Sequence, residues 1–334
     1  ISRERGAPMV EAGLWYRPSY FPQRGETHWR QACDREVQMV RATVGICDVS
    51  TLGKIDIQGP DAAAFLDFLY TNSFASLKQG RVRYGLMLRE DGHVMDDGTC
   101  ARIGAAHYLM TTTTAAAGQV MRHMDFVHQG LRPNFDVSFT SVTEHWAQFA
   151  VAGPGARILL NGILDRKISN KTLPYMGCKA VQLGGIAARL FRISFSGEHA
   201  YELAVPARYG EGLFQLLLER AEALGGGAYG LEALNVLRIE KGFITHAEIH
   251  GRTTAFDIGL ERMVSEAKDC IGKTMAARPG LVGLKRDQLV GLRPVGKVKQ
   301  IIPGAHLFAP EAEAVSENDE GYVTSMCSSP ALGS

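Results

Sequence analysis

Strand-like and helix-like stretches follow one another along this chain in no regular order, and that irregularity constrains the fold more than any single motif. Residues 54–58 (Lys-Ile-Asp-Ile-Gln) alternate as a half-buried strand does. Gly59-Pro60-Asp61 then opens a helix whose apolar stripe is Phe65, Leu66 and Leu69. Residues 84–88 and 93–95 read as strands joined across Glu90-Asp91-Gly92, a hairpin signal. Residues 108–114 read as another strand, because its four successive threonines suit a pleated surface, and a helix follows over 115–128. Residues 146–151 form a strand that Gly153-Pro154-Gly155 turns into a helix. Strands over 188–195 and 201–205 flank the turn Ser196-Gly197-Glu198. An amphipathic helix over 209–224 and a glycine loop at 225–227 lead to a further helix over 231–241. From Asp287 onward strands and turns dominate. A doubly wound parallel sheet requires regular strand–helix alternation, so the pattern predicts an α+β fold.

The N-terminal forty residues are rich in aromatics and arginine, among them Trp15, Tyr16, Arg17, Tyr20, Phe21, Trp29 and Arg30. They read as an extended arm laying its rings on the body, followed by a short helix over 36–41. A chain of 334 residues has room for two or three domains. Its net charge of +1, with both signs mixed along the sequence, argues against a nucleic acid or an acidic membrane surface as partner, since both need a concentrated basic face. The six cysteines form no C-x-x-C pair and no disulfide framework, and they read as reduced thiols of a cytoplasmic protein. No apolar run is as long as a membrane span, and no secretory leader is visible. A start at Ile1 and a stop just after a strand-like segment read as a piece of a longer polypeptide.

Two motifs fail on inspection. Gly225 to Gly230 fits G-x-G-x-x-G by letter, but it follows a helix, whereas a dinucleotide fingerprint follows a strand. His246-Ala247-Glu248-Ile249-His250 places two imidazoles four residues apart, yet the segment looks extended and its Glu is not next to the first His, so no metal site is expected.

The segment Gly92-His93-Val94-Met95-Asp96-Asp97-Gly98 puts two adjacent carboxylates just after a strand. Neighbours on a strand point to opposite faces, so one carboxylate should face a cavity while the other serves backbone or solvent. An acidic turn is the plainer reading of those residues alone.

The order and spacing of several segments then resemble the aminomethyltransferase (T-protein) family. They are Val44-Gly-Ile-Cys-Asp48, Gly59-Pro60-Asp61-Ala62, Gly80-Arg81-x-x-Tyr84, Glu90 to Asp97, Arg192-Ile-Ser-Phe-Ser-Gly197-Glu198-x-x-Tyr201-Glu202, Tyr229 to Glu240, and Cys270-Ile-Gly-Lys273. Within that family the opening Val10 to Pro18, Thr111 to Thr114, Leu289 to Pro294 and Gly321 to Ser325 resemble the folate region of sarcosine oxidase alpha subunits. The resemblance implies a cloverleaf of two α+β folate-binding domains over residues 1–284 and part of a C-terminal β-barrel domain over 285–334.

It further implies tetrahydrofolate as acceptor of a one-carbon unit, Asp96 as the catalytic carboxylate, and a structural role for Asp97. Glu202 matches the carboxylate that holds the pterin edge in a two-point contact. Tyr84, Thr113, Phe195 and Arg238 are the other candidate cofactor contacts. Arg238 could instead pair with Glu240 or with acids on the Asp96 side. Asp96 and Glu202 are expected to line one shared pocket. Flavin is expected on partner subunits of a sarcosine oxidase assembly, not in this chain. The sequence departs from the family at Phe195, where the family has Tyr, near Thr113, where it has Asn, and at Leu234, where it has Arg. Two other readings stand beside this one: a stand-alone aminomethyltransferase, and a folate-binding or assembly module without catalysis.

Overall fold

The computed structural model describes residues 1–283, 286–296, 298 and 300–333. The chain opens with a hairpin, β1 (Met9–Ala12) and β2 (Trp15–Pro18), and then a 14-residue helix, α1 (Trp29–Ala42). The aromatic N-terminal stretch is therefore not one extended arm. Helix α1 begins well before residue 36 because Ala32, Cys33, Glu36, Val37 and Val40 form one buried stripe. A buried acid in the middle of that stripe hides the helical period from a hydrophobicity count.

Next come β3 (Gly45–Asp48), β4 (Gly53–Gln58), α2 (Ala62–Leu69), β5 (Arg81–Leu88), β6 (Val94–Gly104), β7 (His107–Thr112) and α3 (Ala117–Phe126). They are followed by β8 (Ser138–Ser141), β9 (Trp146–Ala152), α4 (Ala156–Asn161), β10 (Cys178–Leu183), β11 (Ile186–Phe191) and β12 (Ala200–Pro206). Then come α5 (Gly210–Glu222), β13 (Gly227–Ala228), α6 (Leu231–Lys241), β14 (His306–Phe308) and β15 (Asp319–Tyr322). The strand expected over 93–95 is in fact the 11-residue β6, so Asp96 and Asp97 lie inside a strand rather than in a turn after it.

Two sheets carry the body. One has six strands in the order β10-β11-β12-β9-β3-β13, the other five in the order β5-β6-β7-β4-β8. On the six-stranded sheet, Phe149, Val151, Leu203 and Val205 pack against α4 and α5. Cys47, Ala152 and Ala200, on its other face, pack against Val37 of α1 and Ala233 and Leu237 of α6. Ile55, Ile57, Tyr108 and Met110 of the five-stranded sheet pack against Phe65 and Leu66 of α2 and Val120 of α3. Its opposite face meets the first sheet, where Val82, Ala101 and Leu109 touch Phe191 and Ala204. Each fully buried side chain of this kind contributes roughly 1.5–3 kcal/mol.

Glycine is required at two places. Gly92 turns the β5–β6 hairpin at φ +88°, and a Cβ on Gly98 would stand 2.0 Å from the Thr111 carbonyl oxygen, too close for β6 to pair with β7. The expected domain boundary falls at residues 284 and 285, which lie outside the described residues. Beyond it the described residues hold one hairpin, β14 with β15, and form no closed barrel. No helix among the described residues is long and apolar enough to cross a membrane.

Glu36 ties three parts of the molecule together. Its fully buried carboxyl accepts the Phe21 amide at 2.6 Å and the Gly230 amide, at the start of α6, at 2.8 Å. Burial pushes its pKa from 4.5 up to about 7 against the pull of those two amides. A raised acid pKa in the folded state adds stability below the unfolded value, and that contribution is lost as pH rises through the folded value. We expect Glu36→Ala to cost about 2–4 kcal/mol at pH 4.5, from two orphaned amides. The gap to wild type should narrow as pH rises toward 8. Urea unfolding midpoints across that range check this, and a gap that widens with pH would contradict the account.

Candidate functional site

Antiparallel register puts chemically active side chains in rows. On the five-stranded sheet Tyr84 faces Thr99 across β5–β6, and Thr111 faces Lys54 across β7–β4. Thr99 and Thr111 are joined by hydroxyl contact at 2.7 Å, completing the row. Asp97 lies on the same face as Thr99, two residues along β6, and its Oδ2 accepts the Tyr84 hydroxyl at 2.7 Å. Asp96 pairs across the strands with Met87 and points to the other face.

Asp96 is 2% exposed. Its carboxylate accepts the Thr113 hydroxyl at 2.7 Å and the Thr113 amide at 3.3 Å. Burial raises its pKa to about 7; the Thr113 hydroxyl opposes the rise and the Asp97 charge adds to it. Burial also raises Asp97, against the hydrogen bond from Tyr84 and the positive field of His246. Tyr84 itself is raised far above the ordinary phenol value by burial and the Asp97 charge.

The four threonines that read as plain strand each do something different. Thr111 bonds Thr99, Thr112 donates to the Thr113 carbonyl at 2.9 Å, Thr113 holds Asp96, and Thr114 meets the Thr51 hydroxyl at 3.2 Å.

On the six-stranded sheet Glu202 faces Ala150, which faces Cys47, so the three share one face. The Gln148 amide donates to the buried Glu202 carboxylate. Burial raises the Glu202 pKa, while Gln148, Lys54 and Arg17 lower it. Lys54 belongs to the other sheet, is fully buried, and donates to the Ser50 and Leu52 carbonyls at 2.8 and 2.9 Å. Desolvation brings its pKa down to about 8 despite Glu202 and Asp48. Arg17 donates to the Asp48 carbonyl at 2.9 Å. Gln148 Oε1, Arg17 Nε and Asp97 Oδ1 are buried without a hydrogen-bond partner among the described residues.

Asp96 and Glu202 thus sit on different sheets, each with its own partner, and no hydrogen bond joins them among the described residues. Phe195 is exposed and stacked on Phe243 at 6.0 Å and 16°. Sequence reasoning missed Lys54, Gln148 and His246. None of the three carried a signal: Lys54 falls on the polar phase of its alternating strand, with Asp56 and Gln58.

Arg238 departs from expectation. Its guanidinium donates to Asn235, to the Phe243 carbonyl, to Glu248 at 3.0 Å and to the Ser325 hydroxyl at 2.6 Å. Glu240, offered as its partner, instead binds Arg41 and Ser329. Glu248 also accepts Thr245, Thr324 and Ser325, so the middle acid of the His246–His250 motif is a structural anchor for the C-terminal segment. No group of three or more His, Cys, Asp or Glu residues that could hold a metal occurs among the described residues.

The model of the GCVT N-terminal domain matches residues 1–268. The chain is 51% identical over 336 aligned positions to a sarcosine oxidase subunit alpha of Rhizobium meliloti, covering 100% of this chain and 34% of that one. It is 41% identical to the sarcosine oxidase subunit alpha of Corynebacterium sp. strain U-96, over 98% of this chain and again 34% of that one. The chain therefore spans about a third of the length of these curated relatives. An aminomethyltransferase of Thermotoga sp. is 29% identical over 99% of this chain and 84% of its own length. Among solved structures, the glycine cleavage system aminomethyltransferase T of Bartonella henselae shares the fold, with a TM-score of 0.83 at 24% identity over 99% of this chain and 85% of that one.

Removing one partner of a buried ion pair strands the other charge. We expect Arg238→Met to destabilise the protein by about 3 kcal/mol or more and to open the segment around Ser325 to protease. The double variant Arg238→Met/Glu248→Gln should recover part of the loss. Denaturant unfolding and timed proteolysis measure both, and an unchanged midpoint in the single variant would rule out this anchoring role.

Proposed function

The chain belongs to the GCVT N-terminal domain family, and on that premise we propose that it is the folate-binding, one-carbon-accepting part of a sarcosine oxidase alpha subunit. The two-sheet body over 1–284 is the folate-binding region in this reading, and 285–334 belongs to a further domain. The observation that carries the proposal is a carboxyl, Asp96, buried beside a hydroxyl and balanced near neutrality. Such a group exchanges protons at working pH, which an ordinary carboxylate does poorly.

The residues around Glu202 fit a reduced pterin. Glu202 is a buried acceptor for a side-by-side N–H and amino group, and Gln148 Oε1 and Arg17 Nε are buried polar atoms still lacking partners. When bound, tetrahydrofolate supplies the ring nitrogens that accept the one-carbon unit. Glu202 orients the pterin, with Lys54 and Arg17 favouring its ionised form. Asp96 takes up a proton and stabilises developing positive charge nearby. Asp97, tied to Tyr84, holds β5 against β6. A closed site limits loss of the reactive carbon to water.

Phe195 lacks a hydroxyl, Thr113 offers one hydroxyl where the family has an amide, and Leu234 is packed in an apolar core. These departures favour the oxidase reading over a stand-alone aminomethyltransferase. In this reading the partners are flavin-bearing subunits of a sarcosine oxidase, and the six free cysteines support the cytoplasm as location.

Titration with tetrahydrofolate by calorimetry tests the reading. Glu202→Gln should weaken binding about tenfold or more, through loss of a charge-assisted two-point contact. Asp96→Asn should leave affinity within about threefold while slowing methylene-folate formation by about 100-fold or more. An absence of folate binding to wild type would overturn the proposal, and equal losses of affinity in both variants would overturn the division of labour.

A further inference from the structure

We propose that Thr113 and His246 form a proton relay that connects the buried Asp96 carboxyl with solvent. This inference rests on the folate reading above and deepens it. The geometry is a continuous chain: Asp96 Oδ1 to Thr113 Oγ1 is 2.7 Å, and Thr113 Oγ1 to His246 Nε2 is 2.8 Å. Its inner end is buried and its outer end is exposed. His246 comes from the segment after α6, far from Asp96 in sequence, so the contact is made by the fold and not by a local turn.

A buried acid needs such a path. An amine that forms a bond to carbon sheds its N–H proton, and Asp96 can accept only one before it must be cleared. The chain has two consistent arrangements. In one, Asp96 is ionised, the Thr113 hydroxyl donates to it, and the His246 Nε2–H donates to Thr113. In the other, the Asp96 O–H donates to Thr113 and the Thr113 hydroxyl donates to Nε2. Conversion of the second into the first moves the Asp96 proton to Thr113 Oγ1 while the Thr113 proton moves to His246 Nε2. No bond other than these O–H and N–H bonds changes, and net charge is conserved: a neutral acid and a neutral imidazole become a carboxylate and an imidazolium. Imidazolium then releases a proton from Nδ1 to water, and imidazole is suited to this because it changes charge between pH 5 and 8. Thr113 and His246 are positioning residues in this scheme, since both act through Asp96.

The titratable groups facing the chain are few. Asp97, Tyr70 and Tyr84 lie close enough to Asp96 to feel or exert its charge, and Asp97 also feels His246. Asp97 opposes the Asp96 anion, which holds the proton at the inner end, while its own carboxylate is favoured by His246 at the outer end, so its charge acts on the two ends of the relay in opposite senses. A hydroxyl at position 113 can both accept and donate along such a chain through one atom. An amide there would interrupt it, because its oxygen and nitrogen cannot exchange roles.

Two measurements test the relay. The first needs no folate: imidazole proton NMR of the whole chain, with His246 assigned by loss of its signal in His246→Gln. Asp96→Asn and Thr113→Val should each move the His246 ring resonances, since each breaks the hydrogen-bonded chain that ends at Nε2. The second uses the complete oxidase assembly. His246→Gln and Thr113→Val should slow methylene-folate formation about tenfold near pH 7 and alter its pH profile, with folate affinity within about threefold of wild type. Added imidazole should restore part of the rate to His246→Ala. Unmoved ring resonances together with wild-type rates and pH profiles would overturn the relay, even where Asp96→Asn abolishes transfer and the folate reading stands. Failure of wild type to bind folate is a separate result that overturns the reading beneath it.

Discussion

The crossing from β3 to β4, made in the four residues 49–52, sets the rest of the structure. It carries the chain directly from one sheet to the other and so forces them to lie side by side. The crossing is held from several directions. Lys54 donates to the Ser50 and Leu52 carbonyls, Arg17 to the Asp48 carbonyl, and the Ser50 hydroxyl contacts the Gln148 carbonyl at 3.3 Å. Glu202 is two strands from β3 in its sheet, and Asp96 is two strands from β4 in the other. One short link therefore fixes both acids by register, although they are more than a hundred residues apart in sequence.

Burying that link concentrates charge where water is scarce. Asp96, Asp97 and Glu202 are all pushed up by desolvation, and Lys54 is pushed down. Full ionisation of all of them would be costly at low dielectric, so desolvation pushes each away from its charged form. At Glu202 the Gln148 amide and the Lys54 charge oppose that push and favour the carboxylate, which suits a group that must accept hydrogen bonds. Asp96 has only the bonds from Thr113 and its own neighbourhood against it, which suits a group that must gain and lose a proton. The different tasks assigned to the two acids follow from their different neighbours, not from their residue types.

Much of this was legible in the sequence, and the failures have physical causes. Irregular strand and helix order gave the α+β class, and the paired acids and Glu202 stood out by residue type. The placement of the acids did not. Residues 93–95 looked like a short strand ending in an acidic turn because Asp and Gly are poor strand formers. The strand continues through Gly98 because a backbone carbonyl of β7 occupies the space where a side chain would be. Helix α1 was read too short because Glu36 is buried, and nothing local shows that the Phe21 and Gly230 amides meet it there. For Arg238 the sequence leaves a cofactor contact and an ion pair both open, and it does not name Glu248 or Ser325 because no local pattern links a helix charge to partners as far along the chain as Ser325.

The same argument explains why His246 could not be found from sequence. The motif search asked whether His246 and His250 share a face, which is a question about neighbours four residues apart. The structure answers a different one. Glu248, between them, turns inward to Arg238, Thr324 and Ser325 and pins the segment against the end of α6. With that anchor fixed, His246 is left exposed at the Thr113 hydroxyl. His250 is held elsewhere: its backbone amide donates to the Thr253 hydroxyl and its ring stands beside Tyr322. The buried ion pair thus does more than join the C-terminal segment to the body. By fixing the residue two positions along, it sets the outer end of the only side-chain chain that leads from Asp96 to the surface among the described residues.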